Sequence, residues 1–263
     1  MGVKSNLKLI FSYFRLNVKK EWQYKSSFFM QMIMMILNDA FFLIQWIIVF
    51  SLVDNIGGYT FNDTMLLWAI FTGGFGVAHT FFQGAWNIKD LVYDGKLDVF
   101  LTQPKNVLIN VCCSSTKVSA IGDIIYAFII LIIINAPWWW FLAIIPISIL
   151  SGLLLVSVYV TYCSLSFYIN RGDAVGEVVE DTMCKSGTYP PSIFSGVTRW
   201  LFYSLIPTFF FAFVPAKYIL GTFNIWWVLG LLGFVILWVI IAFVSFNRGL
   251  KRYNSGNIIS ARM

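Results

Sequence analysis

The feature that most limits what this chain can become is its repetition of apolar runs about twenty residues long. A helix crossing a hydrocarbon core of ~30 Å needs about 20 residues at ~1.5 Å each. Six segments reach or approach that length: 28–53, 65–86, 118–136, 140–169, 200–220 and 225–246. They predict an all-α membrane protein, because a helix satisfies its own backbone groups where water is absent. Only 11% of the 263 residues are charged, and the mean hydropathy is +0.78. So few charges do not keep a soluble surface wet.

The whole chain reads as one transmembrane domain. The fourth run is over-long and contains Pro146, which favours tilt or a break. The fifth is interrupted by Pro207 and Pro215, with Lys217 near its end; an alternative is that it spans only to about Val214 and then turns back. The first run follows basic residues, as in a signal peptide, but it is far longer than such an apolar region and no cleavage motif follows. It is expected to remain as a span.

Lysine and arginine set the expected orientation. With the N-terminus inside, the inner segments carry Lys4, Lys8, Arg15, Lys19, Lys20 and Lys25, then Lys89, Lys96 and Lys105. Arg171, Lys185 and Arg199 follow, then Arg248, Lys251, Arg252 and Arg262. Of the 18 basic residues only Lys117 and Lys217 fall elsewhere. Both termini and the main loops, 87–106 and 170–198, are therefore expected on the cytoplasmic side. The outer connections, 54–64, around Pro137 and 221–224, are short. Residues 1–25 repeat Val3, Leu7, Ile10, Phe14 and Val18 at helical spacing beside a basic face, which predicts an amphipathic helix in the inner interface. The basic residues lie between apolar runs instead of in one patch, so nucleic-acid binding is not expected.

Several chemistries are excluded by what is missing. The four cysteines, Cys112, Cys113, Cys163 and Cys184, form no C-x-x-C pair, and His79 is the one histidine, so a metal site has no ligand set. Free thiols are expected. There is no phosphate-binding loop and no nucleophile triad, so the chain is not expected to be an enzyme or to hold a cofactor. Asn62-Asp63-Thr64 matches a glycosylation acceptor, a pattern that chance supplies often.

The loop after the second run is the most informative stretch. Ile88, Leu91 and Val92 suit one face of a short helix that Gly95 ends; Leu97, Phe100 and Leu101 restart the pattern, and Pro104 stops it. Asp90 and Asp98 flank the apolar positions. Such a helix suits docking into a groove on a soluble partner, or else a plain interfacial connection. The second inner loop carries Asp173, Glu177, Glu180 and Asp181, either a contact face or a solvated one.

Within the runs, Asp39 beside Asn38 stands out. A charge at mid-membrane costs about 2.5–3.5 kcal/mol on insertion scales, so it is expected to face protein or water. It reads as a lining or seam residue, or as one partner of an interhelical hydrogen bond. Asp123 lies nearer a helix end and suits a structural role. His79 and Gln83 continue a polar stripe with Thr72 and Gly76, the kind of group more often packed than catalytic; with Asn38, Asp39 and Asp123 they are the candidates for lining the pathway or a dimer seam. Ala69, Gly73, Gly76, Thr80 and Gly84 leave one face of the second run open to close helix approach, within the chain or at a dimer cleft.

The run Gly95-Lys96-Leu97-Asp98-Val99-Phe100-Leu101-Thr102-Gln103-Pro104 resembles the G-x-L-D-x-x-L-x-x-P signature of type-2 ABC exporter permeases, in particular the bacterial subunits of this length. Gly58-Tyr59-Thr60, Pro190-Pro191-Ser192-Ile193-Phe194, Arg199, Ile206-Pro207 and Val214-Pro215-Ala216 are similar to further parts of that pattern. Thr102-Gln103 replaces a Leu-Arg pair frequent in relatives. The resemblance implies a half-transporter of the bacterial cell membrane that pairs with an identical or similar permease. It also implies a separate ATPase subunit, holding ATP and Mg, docked on the loop built from Asp90, Leu91, Gly95, Leu97, Asp98, Leu101 and Pro104. Alternating access would then move a hydrophobic or amphiphilic substrate outward. A proton-coupled secondary transporter or channel using Asp39, Asp123 and His79 as a relay is the alternative reading.

Overall fold

A computed structural model describes residues 3–169, 172–221 and 224–253. Asn170, Arg171, Thr222, Phe223 and Arg262, counted above among the loops, lie outside the described residues. The regular elements among the described residues are all helices, with one isolated bridge between Ile56 and Tyr59. In chain order the helices are α1 (Val3–Glu21), α2 (Lys25–Leu52), α3 (Phe61–Phe82), α4 (Ile88–Tyr93), α5 (Asp98–Leu101), α6 (Val107–Cys113), α7 (Ser119–Ile133), α8 (Trp138–Cys163), α9 (Asp173–Ser186), α10 (Gly196–Tyr203), α11 (Val214–Ile219) and α12 (Ile225–Leu250). A π-helical turn, Phe209–Phe213, precedes α11.

Four helical stretches are long and apolar enough to cross a membrane: Ser5–Leu52, Phe61–Tyr93, Trp138–Phe167 and Ile225–Leu250. The first joins α1 to α2 through a short 3-10 turn, Trp22–Tyr24. α7 and Phe209–Ile219 are apolar but shorter.

α3 is the axis of the bundle, buried from Thr64 to Thr80 except at Phe75. Its start is fixed by a reciprocal cap: the Asp63 amide donates to Thr60 Oγ1 at 3.4 Å, and the Thr60 amide donates to Asp63 Oδ2 at 3.0 Å. A cap of this kind contributes about 1 kcal/mol. Thr64 of the acceptor triplet is thereby buried inside the helix. Small residues let the neighbours close in. A Cβ on Gly76 would meet the Ala120 carbonyl at 2.9 Å, and one on Gly152 the Gly74 carbonyl at 2.9 Å. α7 and α8 thus take the close-approach face of α3 within this one chain. α2 packs on α7, where Gly122 admits the Met32 carbonyl, and α12 packs on α8.

The bundle has two ends. The basal end holds residues 83–117; the apical end holds 53–60 and 134–137. The 170–198 segment, expected as one loop at a single end, instead runs between them. Tyr93 and Lys89 meet Asp173 at the base, Glu180 meets Trp86 and His79, Gly187 lies against Phe71, and Tyr189 packs on Trp46. At the apical end Ser192 donates to the Gly57 carbonyl at 2.9 Å. α9 and the chain after it therefore lie antiparallel to α3 along its length. Hydropathy missed this because α9 is charged on one face, and that face is satisfied by α3 and α4.

The apolar run 200–220 differs from expectation as well. α10 ends at Tyr203, and the chain turns at Leu205, whose carbonyl accepts from Tyr162 Oη at 2.9 Å. From Pro207 it climbs again: Thr208 meets Ser186, the Phe211 carbonyl accepts from Ser151, and Phe213 reaches Tyr59. Pro207 has no amide to continue α10, which is why one helix becomes a hairpin.

Candidate functional site

A cavity of about 460 Å³ opens midway along the bundle, between α2, α3, α7 and α9. α2 contributes Met35, Asn38, Asp39 and Phe42, and α3 contributes Trp68, Phe71, Thr72 and Phe75. Asp123 comes from α7, and Cys184, Lys185, Thr188 and Tyr189 from α9 and the chain beyond it. The periodicity of α2 and α3 explains the wall. Positions 35, 38, 39 and 42 share one helical face, as do 68, 71, 72 and 75.

Asp39 is 3% exposed and Asp123 2%. Both carboxyls line the cavity, and Asn38 stands beside Asp39 on the same face of α2. Tyr126 Oη donates to the Asp39 backbone carbonyl at 3.0 Å, which holds α2 against α7 at this level. One oxygen of Asp39, Oδ2, is buried with no hydrogen-bond partner, and so is the indole Nε1 of Trp68. Thr72 is occupied, donating to the carbonyls of Trp68 and Ala69. Aromatic faces form the rest of the wall. Trp68 and Phe71 stack at 5.6 Å, Phe71 and Phe75 at 6.1 Å, and Phe42 tilts against Trp68 at 5.2 Å.

The sequence grouped His79 and Gln83 with the two aspartates; the structure puts them in a second cluster toward the base. His79 Nδ1 lies 2.6 Å from Gln83 Oε1, and its Nε2 lies 3.5 Å from Glu180. The ring is sandwiched between Phe75 and Trp86, 4.1 and 4.0 Å away. Trp86 donates its indole N–H to Glu180 at 2.6 Å and stacks on Tyr159. His79 does not line the cavity.

Below that cluster, α9 is fastened to α4. Lys89 pairs with Glu177 and sits 3.8 Å from Asp173, while Tyr93 Oη donates to Asp173 at 2.9 Å. The hydrogen bond with Glu177 raises the Lys89 pKa above the ordinary lysine value. Residues 173, 177 and 180 occupy one face of α9 and all three point at 86–93. Asp181, the fourth acid of that stretch, pairs with Lys185 instead.

The 87–106 loop holds its candidate docking residues in two different states. Gly95 takes a left-handed φ of +69°, ending α4. The Leu97 amide then donates to the Leu91 carbonyl at 3.1 Å, and the Leu97 side chain is fully buried. Leu101 is 43% exposed, and Asp90, Asp98 and Pro104 are exposed too. α1 lies across the next stretch. Tyr13 donates to Gln103 at 3.4 Å, and Asn17 to the Cys113 carbonyl at 3.2 Å. Val99, 64% exposed, is an apolar position on this surface that sequence reasoning passed over, since it breaks the Leu97–Phe100–Leu101 spacing.

All four cysteines are free, and no group of three His, Cys, Asp or Glu among the described residues is placed to hold a metal ion.

The profile of a protein family described as "ABC-2 family transporter protein" matches residues 33–256. That match runs from within α2 to beyond α12 and takes in both clusters and the whole cavity. No curated protein and no solved structure matches the chain.

Proposed function

The chain belongs to the ABC-2 transporter family, and from that premise we propose that it is the permease subunit of an ATP-driven exporter in a bacterial cell membrane. Its spans are α2, α3, α7, α8, α12 and the stretch from α9 to Ser192. That makes six crossings, with 194–219 as a re-entrant hairpin and α1 as an interfacial helix. Both termini and the basal end face the cytoplasm. The chain pairs with a second permease, identical or similar. ATP and Mg bind a separate ATPase subunit, which docks on the exposed residues of the 87–106 loop.

One observation carries the reading: the basal loop is bound to a helix whose other end lines the cavity. Lys89 and Tyr93 hold the foot of α9, and Cys184, Lys185 and Thr188 stand in the cavity wall. A push on α4 is thereby transmitted to the cavity. Packed helices shift as rigid elements between discrete arrangements, so a small displacement at the base switches access to the pathway. The relay alternative, with Asp39, Asp123 and His79 passing protons, is less well supported, because His79 bonds Gln83 and turns its Nε2 toward Glu180 at 3.5 Å, away from the two aspartates.

The test is purification of the chain from its host in mild detergent. A stoichiometric subunit carrying a phosphate-binding loop is expected to accompany it. A folded chain recovered without any such subunit, and transporting in its absence, overturns the proposal.

A further inference from the structure

We propose that the cavity between α2, α3, α7 and α9 binds an amphiphilic cation: a flat apolar body carrying a protonated amine, held by Asp39 against the ring ladder of Trp68, Phe71 and Phe75. The inference deepens the permease reading by assigning the charge class of its cargo, and it rests on that reading only for the word cargo.

Three observations converge. First, the wall leaves one acceptor and one donor unmatched. Asp39 Oδ2 is buried without a partner, and so is Trp68 Nε1. A buried polar group without a hydrogen bond is costly, and a carboxylate oxygen most of all. The missing partner for Asp39 is a donor, preferably a charged one, since charge-assisted bonds are about twice as strong as neutral ones.

Second, the charge of the site suits a cation. The acids in the lining are Asp39 and Asp123, both buried. Lys185, the cation in the lining, is turned outward: its side chain is 75% exposed and its ammonium pairs with Asp181 at 2.7 Å. Lys117 lies outside the lining. Cys184 adds no charge as a thiol. An anion would meet the two aspartates, while the lysine in the lining is already paired with Asp181.

Third, the remaining surface is aromatic and flat. The Trp68 and Phe71 planes lie 13° apart and those of Phe71 and Phe75 19° apart. Such a ladder accepts a planar ring system, and its faces attract a cation as well. The volume of about 460 Å³ falls in the ordinary range for small-molecule pockets.

The experiment uses the full chain, with whatever subunits co-purify, in lipid nanodiscs. Three fluorescent probes share one ring system and differ in one group: 9-(aminomethyl)anthracene, 9-anthracenemethanol and 9-anthracenecarboxylate. Binding is read from probe fluorescence. The amine is expected to bind at least tenfold more tightly than the alcohol, and the carboxylate more weakly than either. In Asp39→Asn the amine is expected to fall to the affinity of the alcohol, while the alcohol keeps its wild-type affinity and so reports an intact cavity. Equal binding of amine and alcohol by the wild-type chain overturns the proposal, whether or not the variant folds. So does an amine preference that survives in Asp39→Asn. Recovery of the ATPase subunit is scored in the same preparations. Its presence alongside failed amine selectivity rejects the cation and leaves the permease reading standing; its absence rejects the permease reading and leaves the binding result intact.

Discussion

Leu97 and Leu101 occupy equivalent places in the sequence motif, and their burial assigns them opposite tasks. Leu97 is fully buried against the α4 turn, whereas Leu101 is 43% exposed. Truncating a fully buried leucine costs about 2–5 kcal/mol, from lost transfer energy plus the cavity left behind. Full burial of a leucine side chain contributes about 1.5–3 kcal/mol, and Leu101 realises only around half of that, about 1 kcal/mol. Leu97→Ala is therefore expected to lower the melting temperature of the detergent-purified chain clearly, and to lose the ATPase subunit because the loop itself is disordered. Leu101→Asp is expected to melt within a few degrees of wild type. It should nevertheless lose the ATPase subunit, because a charge has been placed on the docking face. Thermal melting and subunit recovery, measured on the same preparations, separate the two cases. The reasoning is refuted if Leu101→Asp retains the ATPase subunit at wild-type stoichiometry, or if Leu97→Ala leaves the melting temperature unchanged.

Two further perturbations probe the bundle and its proposed linkage. Gly152→Ala places a methyl 2.9 Å from the Gly74 carbonyl and 3.1 Å from the Ala78 amide nitrogen, so α3 and α8 must separate, at a cost of about 1–3 kcal/mol. Gly233→Ala meets nothing within 4 Å, and is expected to be neutral or to stabilise α12 by up to about 1 kcal/mol; equal melting of the two variants would contradict the packing argument. Glu180→Gln keeps an acceptor for Trp86 but removes the charge facing both Trp86 and His79, a loss of about 1 kcal/mol. It is expected to shift Trp86 fluorescence and to reduce ATP-dependent transport while the ATPase subunit still co-purifies; unchanged transport would remove α9 from the coupling path.

The reach of the sequence follows from which features depend on one residue and which depend on two. Gly95 marks the end of α4 because only a residue without a side chain takes a positive φ there at little cost, and that requirement is local. Small residues along α3 announce a close-packed face for the same reason. Asp39 was conspicuous because a carboxyl amid apolar neighbours is anomalous wherever its partner lies. The path of α9 is different in kind. Its segment 173–186 carries Asp173, Glu177, Glu180, Asp181 and Lys185, and any scale that scores residues one at a time excludes it from the bundle. What admits it is pairwise: Lys89, Tyr93 and Trp86, roughly ninety residues earlier, supply the donors that meet Asp173, Glu177 and Glu180. Conversely, the apolar stretch 200–220 scored as a span although Pro207 breaks it and Phe194, Phe202, Phe209 and Phe213 gather it into a hairpin beside Tyr59. The exchange also alters the charge count that set the orientation. Lys185 and Arg199 no longer sit in a basal loop, yet the bias survives on Lys89, Lys96, Lys105 and the basic residues of α1 and of the end of α12. The same pairwise logic separates the two polar clusters. By its place in the sequence His79, one turn of α3 beyond Phe75, would have served a relay. Glu180, which no local pattern could assign to it, stands 3.5 Å from its Nε2 and sets it in the basal cluster instead.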